Sequence, residues 1–105
     1  MMANPYRGEV ELMIEGKGHV MRLTLGALAE LEADMKSDNL MNMVERFENA
    51  KFSARDLLAL LAAGLRGGGS NFTVSDLAKA AIDGGAVGAA QAAGRLLKVT
   101  FSVPE

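Results

Sequence analysis

Residues 53–66 read Ser53-Ala54-Arg55-Asp56-Leu57-Leu58-Ala59-Leu60-Leu61-Ala62-Ala63-Gly64-Leu65-Arg66. A serine followed three residues later by an aspartate is a variant of the capping box. The hydroxyl accepts the amide of the third helical residue, and the carboxylate reaches back to the amide of the cap. The run behind it, with Leu57, Leu58, Leu60, Leu61 and Leu65, is apolar around most of a helix's circumference. A helix with no continuous polar face is stable only when surrounded by protein. This helix is therefore expected at the centre of the fold, with Leu57, Leu58 and Leu61 in the core. Gly67-Gly68-Gly69 terminates it.

Toward the C-terminus the same capping logic recurs. Thr73-Val74-Ser75-Asp76 opens a short fourth helix, expected to run through Leu77, Ala81 and Ile82. Asp83-Gly84-Gly85 ends it, with Gly84 as the left-handed residue at its C-cap. A fifth helix follows from about Ala86 to Thr100. It is rich in small residues, among them Gly88, Ala89, Ala92, Ala93 and Gly94, so it is expected to pack closely on the third. Leu96, Leu97 and Phe101 add bulk at its end, and Val103-Pro104-Glu105 is a tail.

Toward the N-terminus the period changes to two. Val10, Leu12 and Ile14 alternate with Glu9, Glu11, Met13 and Glu15, as a half-buried strand requires. Glu15-Gly16-Lys17-Gly18 is a turn, and a second strand is expected from about His19 to Thr24. Met21, Leu23 and Leu25 are placed on one face, and Val20, Arg22 and Thr24 on the other. A lone hairpin is marginal in water and must pack on something. Leu25, Leu28, Leu31 and Met35 then recur at three and four, which makes a first helix. Asp38 is the expected N-cap of a second helix carrying Leu40, Met43, Val44 and Phe47. The fold class is α+β, mostly α: an N-terminal β-hairpin at about 8–24 packed on a compact bundle of four to five short helices at about 25–100, one domain over 1–105.

Bulk composition narrows the function. Half of the 105 residues are hydrophobic, and 11 Lys and Arg stand against 13 Asp and Glu, giving a net charge of −2. That balance is globular and builds neither the basic stripe that nucleic acid requires nor a cluster for an anionic membrane. With no cysteine, disulfides and thiolate metal sites are excluded. The start, Met1-Met2-Ala3-Asn4-Pro5, lacks the pattern of a Sec-type signal peptide. The longest apolar run, residues 57–65, is far short of the ~20 a membrane helix needs. The expected localisation is cytoplasmic.

The residues that could carry chemistry do not converge. His19, the single histidine, is expected as an exposed strand residue, because one His without cysteine or carboxylate spacing makes a poor metal site. Glu9, Glu11 and Glu15 on the hairpin, and Glu30, Glu32 and Asp34 on the first helix, read as solvated faces rather than an acid–base pair. The glycines at 67–69 follow a helix, not a strand, and lack the G-x-x-x-x-G-K-[ST] spacing. A flexible connector is the expectation there. No catalytic residue, cofactor-binding residue or metal ligand is assigned.

Methionine is the unusual signal, with seven in the chain. Met35, Met41 and Met43 cluster near the junction of the first two helices. Met is flexible and polarisable, and adaptable binding surfaces over-use it; it also fills irregular cores. Met35, Met41, Met43 and Phe47 are the candidate partner-binding residues. Met41 is out of phase with Leu40, Val44 and Phe47 and is the best candidate for exposure.

Three stretches carry a resemblance to a known family: Arg22-Leu23-Thr24-Leu25-Gly26-Ala27-Leu28-Ala29-Glu30-Leu31-Glu32, then residues 52–69 from Phe52 to Gly69, then Gly84-Gly85-Ala86. The chain resembles the gene transfer agent family of small tail proteins found in alphaproteobacteria, over nearly its whole length. That family is similar to phage tail assembly chaperones and has also been labelled tail tube protein. The resemblance implies a non-enzymatic factor in assembly of a phage-like tail. As a tail assembly chaperone it would bind the tape-measure protein, keep its apolar helices soluble and help recruit the tail tube protein. The alternative is a structural tube subunit, which would be virion-associated. A tube subunit usually needs a larger sheet that closes into rings, and two expected strands favour the chaperone. Homo-oligomerisation stays open.

Overall fold

The computed structural model describes residues 4, 7–34 and 39–101. Expectations that rest on Met35, on Asp38 and on the tail at 103–105 lie outside these residues. In chain order the elements are β1 (Glu9–Ile14), β2 (Lys17–Arg22), α1 (Leu25–Asp34), α2 (Leu40–Glu48), α3 (Ala54–Gly67), α4 (Val74–Lys79) and α5 (Gly85–Phe101). The architecture is α+β and mostly α, as the sequence pattern implies.

The hairpin is antiparallel, in register from Glu9↔Arg22 to Ile14↔Lys17. Its turn is two residues, shorter than the four expected. Glu15 and Gly16 both have positive φ, at 52° and 78°, which matches the natural twist of the strands. The second strand accordingly starts at Lys17 and ends at Arg22. Val10, Leu12 and Ile14 are buried together with Met21 and Leu23, so the alternation expected for β1 holds.

Both capping boxes form. The Asp56 amide donates to Ser53 Oγ at 3.0 Å, and the Ser53 amide donates to Asp56 Oδ2 at 3.0 Å. Thr73 and Asp76 repeat this at the start of α4. Helix α3 is central: it packs on β2, α1, α4 and α5. Leu57, Leu60, Leu61 and Leu65 are buried along it, while Leu58 is only half-buried. Full burial of one such side chain contributes roughly 1.5–3 kcal/mol.

The glycines after Leu65 are not a flexible connector. Helix α3 runs on through Gly67, and Gly68 caps it. A β-carbon on Gly67 would overlap the carbonyl of Arg22, and one on Gly68 the carbonyl of Val20. Two bare backbones let the end of α3 lie directly on the outer edge of β2. Close approach to α5 is also set from α3: a β-carbon on Gly64 would sit 2.7 Å from Leu96 Cδ2.

Three further expectations change. Helix α4 stops at Lys79, and Ala80 is extended. Ile82 then forms a bridge with Ile14, flanked by Glu15 N–H donating to the Ala81 carbonyl at 2.8 Å and Asp83 N–H donating to that of Met13 at 3.0 Å. A β-branched residue is better placed beside β1 than on a short helix. Gly84 is left-handed, at φ 78°, but it leads into α5 rather than capping α4. Leu25 is 86% exposed, not inward-facing. Thr24 caps α1, with the Ala27 amide donating to its Oγ1 at 3.0 Å. The inward stripe is then Ala27, Leu28 and Leu31, and Leu25 lies roughly 200° around the helix from Ala27.

Candidate functional site

Helix α2 is set by its two ends and one buried anchor. Asn39 is its N-cap, accepting from the Asn42 amide at 2.9 Å, where Asp38 was expected. Met43 inserts into the core with only 1% exposure. Arg46 ties the helix to the start of α3: its Nε donates to Asp56 Oδ2 at 2.9 Å and its Nη2 to Asp56 Oδ1 at 3.1 Å. Burial pushes the Asp56 carboxyl up. The hydrogen bonds from Arg46 and the Ser53 amide, the Arg46 charge and the Ser53 hydroxyl outweigh that, and hold its pKa below the ordinary 3.8. Phe47 stacks flat on Phe52, with ring centroids 4.5 Å apart and 6° between planes.

Between α2 and the second half of α5 lies an open groove of about 500 Å³. Val44, Phe47 and Glu48 line one wall, and Gly94, Leu97, Lys98 and Phe101 the other. Each set has helical spacing of three and four, so each wall is one stripe of one helix. The floor is apolar; Glu48 and Lys98 are exposed. Phe101 is 43% exposed. Gly94 is mid-helix, and a β-carbon there would meet nothing within 4 Å. A glycine at such a position destabilises a helix by about 1 kcal/mol relative to alanine, and no packing among the described residues requires it.

The expected binding residues separate. Phe47 lines the groove. Met41 is 63% exposed but is not among the residues that line the groove. Met43 is core, at 1% exposure, because two residues along a helix turn its side chain roughly 200° away from that of Met41. Met35 lies outside the described residues. Val44, Gly94, Leu97, Lys98 and Phe101 were not anticipated as site residues. The spacing 94, 97, 98, 101 carried the signal, but it marks a surface only once α2 is known to lie alongside.

His19 is half-buried rather than exposed. Phe72 meets its ring edge-on at 5.0 Å, and Ser70 Oγ lies 3.5 Å from Nδ1. Of the acidic residues, Glu30 accepts from Arg66 Nε at 3.1 Å, and Glu15 Oε1 accepts from the Ala81 amide; both contacts tie elements together. Among the described residues no group of three His, Cys, Asp or Glu gathers to hold a metal ion. No helix among them is long and apolar enough to cross a membrane.

The family model described as "Phage tail tube protein, GTA-gp10" matches residues 7–103. No curated protein and no solved structure matches the chain closely enough to add to this. The chain belongs to that family and is a gene transfer agent tail protein.

Proposed function

We propose that this gene transfer agent tail protein works without catalysis, by docking other tail components in the α2–α5 groove. The groove itself carries the reading. It is an apolar trough between two helices, with Phe47 and Phe101 as aromatic walls and charges exposed beside them. That is the form in which an amphipathic helix is recognised. Aromatic residues at the centre of such a surface carry most of the binding energy.

The family's description, tail tube protein, favours a structural tube subunit over the assembly chaperone that the sequence reading put first. A subunit of the tail would use the groove for permanent contacts and stay in the particle. The chaperone for the tape-measure protein is kept as the second reading on one observation. Among the described residues the sheet has two strands; Gly67 and Gly68 cover the outer edge of β2, and residues 81–83 cover the end of β1. Little sheet is left open to join a ring.

Quantitative mass spectrometry of purified particles separates the two. Copies in proportion to the length of the tail support the tube subunit. Absence from particles, together with a soluble complex with the tape-measure protein in the cell, supports the chaperone.

A further inference from the structure

The exposed face of α5 has a pattern that the groove alone does not explain. Val87, Gln91, Gly94, Lys98 and Phe101 are all exposed, and their spacing of four, three, four, three forms one straight seam along the helix. The two apolar members stand at its ends, Val87 at 68% exposure and Phe101 at 43%. Each lies seven residues from Gly94. The residue at the midpoint is the one with no side chain and with open space above it.

We propose that the occupant of this face is a second copy of the chain, in an antiparallel α5–α5 pair that crosses at Gly94. The inference rests on reading the α2–α5 groove as a docking surface, and it names that surface's first partner. In a two-fold contact the same patch serves both subunits, so a residue a given distance after the axis meets one the same distance before it. With the axis at Gly94, Phe101 of each copy meets Val87 of the other. Two exposed apolar side chains thereby cover one another, twice per dimer. The approaching Val87 also enters the groove beside Phe47 and Val44. Lys98, four residues after the axis, comes opposite Ala90 of the other copy, with Gln91 one residue further along. The bare backbone at Gly94 lets the two axes approach closely at the crossing.

The pair is closed, because a two-fold contact uses itself up and does not propagate. It is therefore a state of the free protein and not the contact that would build a tube. One helix crossing with two groove insertions is small beside a standard interface of roughly 1,600 Å², so the dimer is expected to be reversible.

The test is the molar mass of the full chain by sedimentation equilibrium over a concentration series, repeated for Gly94→Leu and Phe101→Asp. The wild type is expected to pass from monomer to dimer. A β-carbon at Gly94 meets nothing within 4 Å and the rest of a leucine projects from the exposed face of α5, so Gly94→Leu should fold normally yet weaken the dimer by roughly tenfold or more, as loss of a central contact does. Register is read independently by cysteine cross-linking, since the chain has no cysteine of its own. Under a copper–phenanthroline oxidant, Gly94→Cys should link to itself. Val87→Cys should link to Phe101→Cys in a mixture and not to itself, and Leu25→Cys, exposed elsewhere, should not link. A wild type that stays monomeric throughout overturns the proposal, as does a dimer that Gly94→Leu leaves intact or a Val87→Cys self-link. If the chain is monomeric but groove variants still lose a partner tail protein, the second copy is wrong and the docking reading stands. If they lose nothing, both fall.

Discussion

Arg46 on α2 clasps Asp56 on α3 through two parallel hydrogen bonds, at 2.9 and 3.1 Å, while Asp56 also closes the capping box of α3 with Ser53. One carboxylate thus starts the central helix and fixes the helix that forms one wall of the groove. Both side chains are largely shielded, at 27% and 18% exposure, and two-point pairs of this kind exceed ordinary surface ion pairs in strength. Arg46→Ala is expected to lower unfolding free energy by about 1 kcal/mol. Asp56→Ala should lose about 2 kcal/mol, because the cap goes as well. Urea denaturation of both variants checks the order.

Asp56 also sets a pH dependence. Its folded pKa is depressed, so its stabilisation is fully present above the unfolded value near 3.8 and is lost as pH falls through the lower folded value. Asp56→Asn, which cannot titrate there, should show a shallower loss of stability than the wild type as pH is lowered below about 5. Equal acid limbs would rule out this carboxylate as a contributor.

The helical glycines should respond with opposite signs. Gly67→Ala and Gly68→Ala drive a methyl into the carbonyls of Arg22 and Val20, and each should cost about 2 kcal/mol or more through overpacking. Gly94→Ala meets nothing and should stabilise the protein by about 0.5–1 kcal/mol. Thermal melts of the three variants, in one buffer, test the prediction.

Much of the fold was legible because its signals are local. The capping boxes at Ser53 and Thr73 and the alternation of Val10, Leu12 and Ile14 act within a few residues, and each forms as read. What was hidden depends on distant partners. Ile82 sits on an apparent helix until Ile14 is known to lie beside it. Gly67 and Gly68 look like a loose linker until the β2 backbone is found against them. Of the candidate residues only Phe47 lies in the groove, and Phe101 and Gly94 were not legible, because a groove wall on α5 exists only relative to α2. Met43 illustrates the limit of composition: the same residue type two positions apart is core in one case and surface in the other.

That difference is itself testable. Met43→Asp places an unpaired charge at a site with 1% exposure and should unfold the protein, as should Leu61→Asp at 0%. Met41→Asp should leave stability within about 0.5 kcal/mol. Circular dichroism and urea melts distinguish them, and an unfolded Met41→Asp would contradict the placement of that side chain.

The most direct test of docking through the α2–α5 groove is co-expression of the chain with the tape-measure protein and the other tail proteins of its own particle, followed by co-purification. The wild type should bring down at least one of them as a soluble complex. Phe101→Asp, at a surface position that leaves the core untouched, should fold and lose it. Undiminished capture by Phe101→Asp and by Phe47→Asp would contradict the assignment of the groove as the working surface.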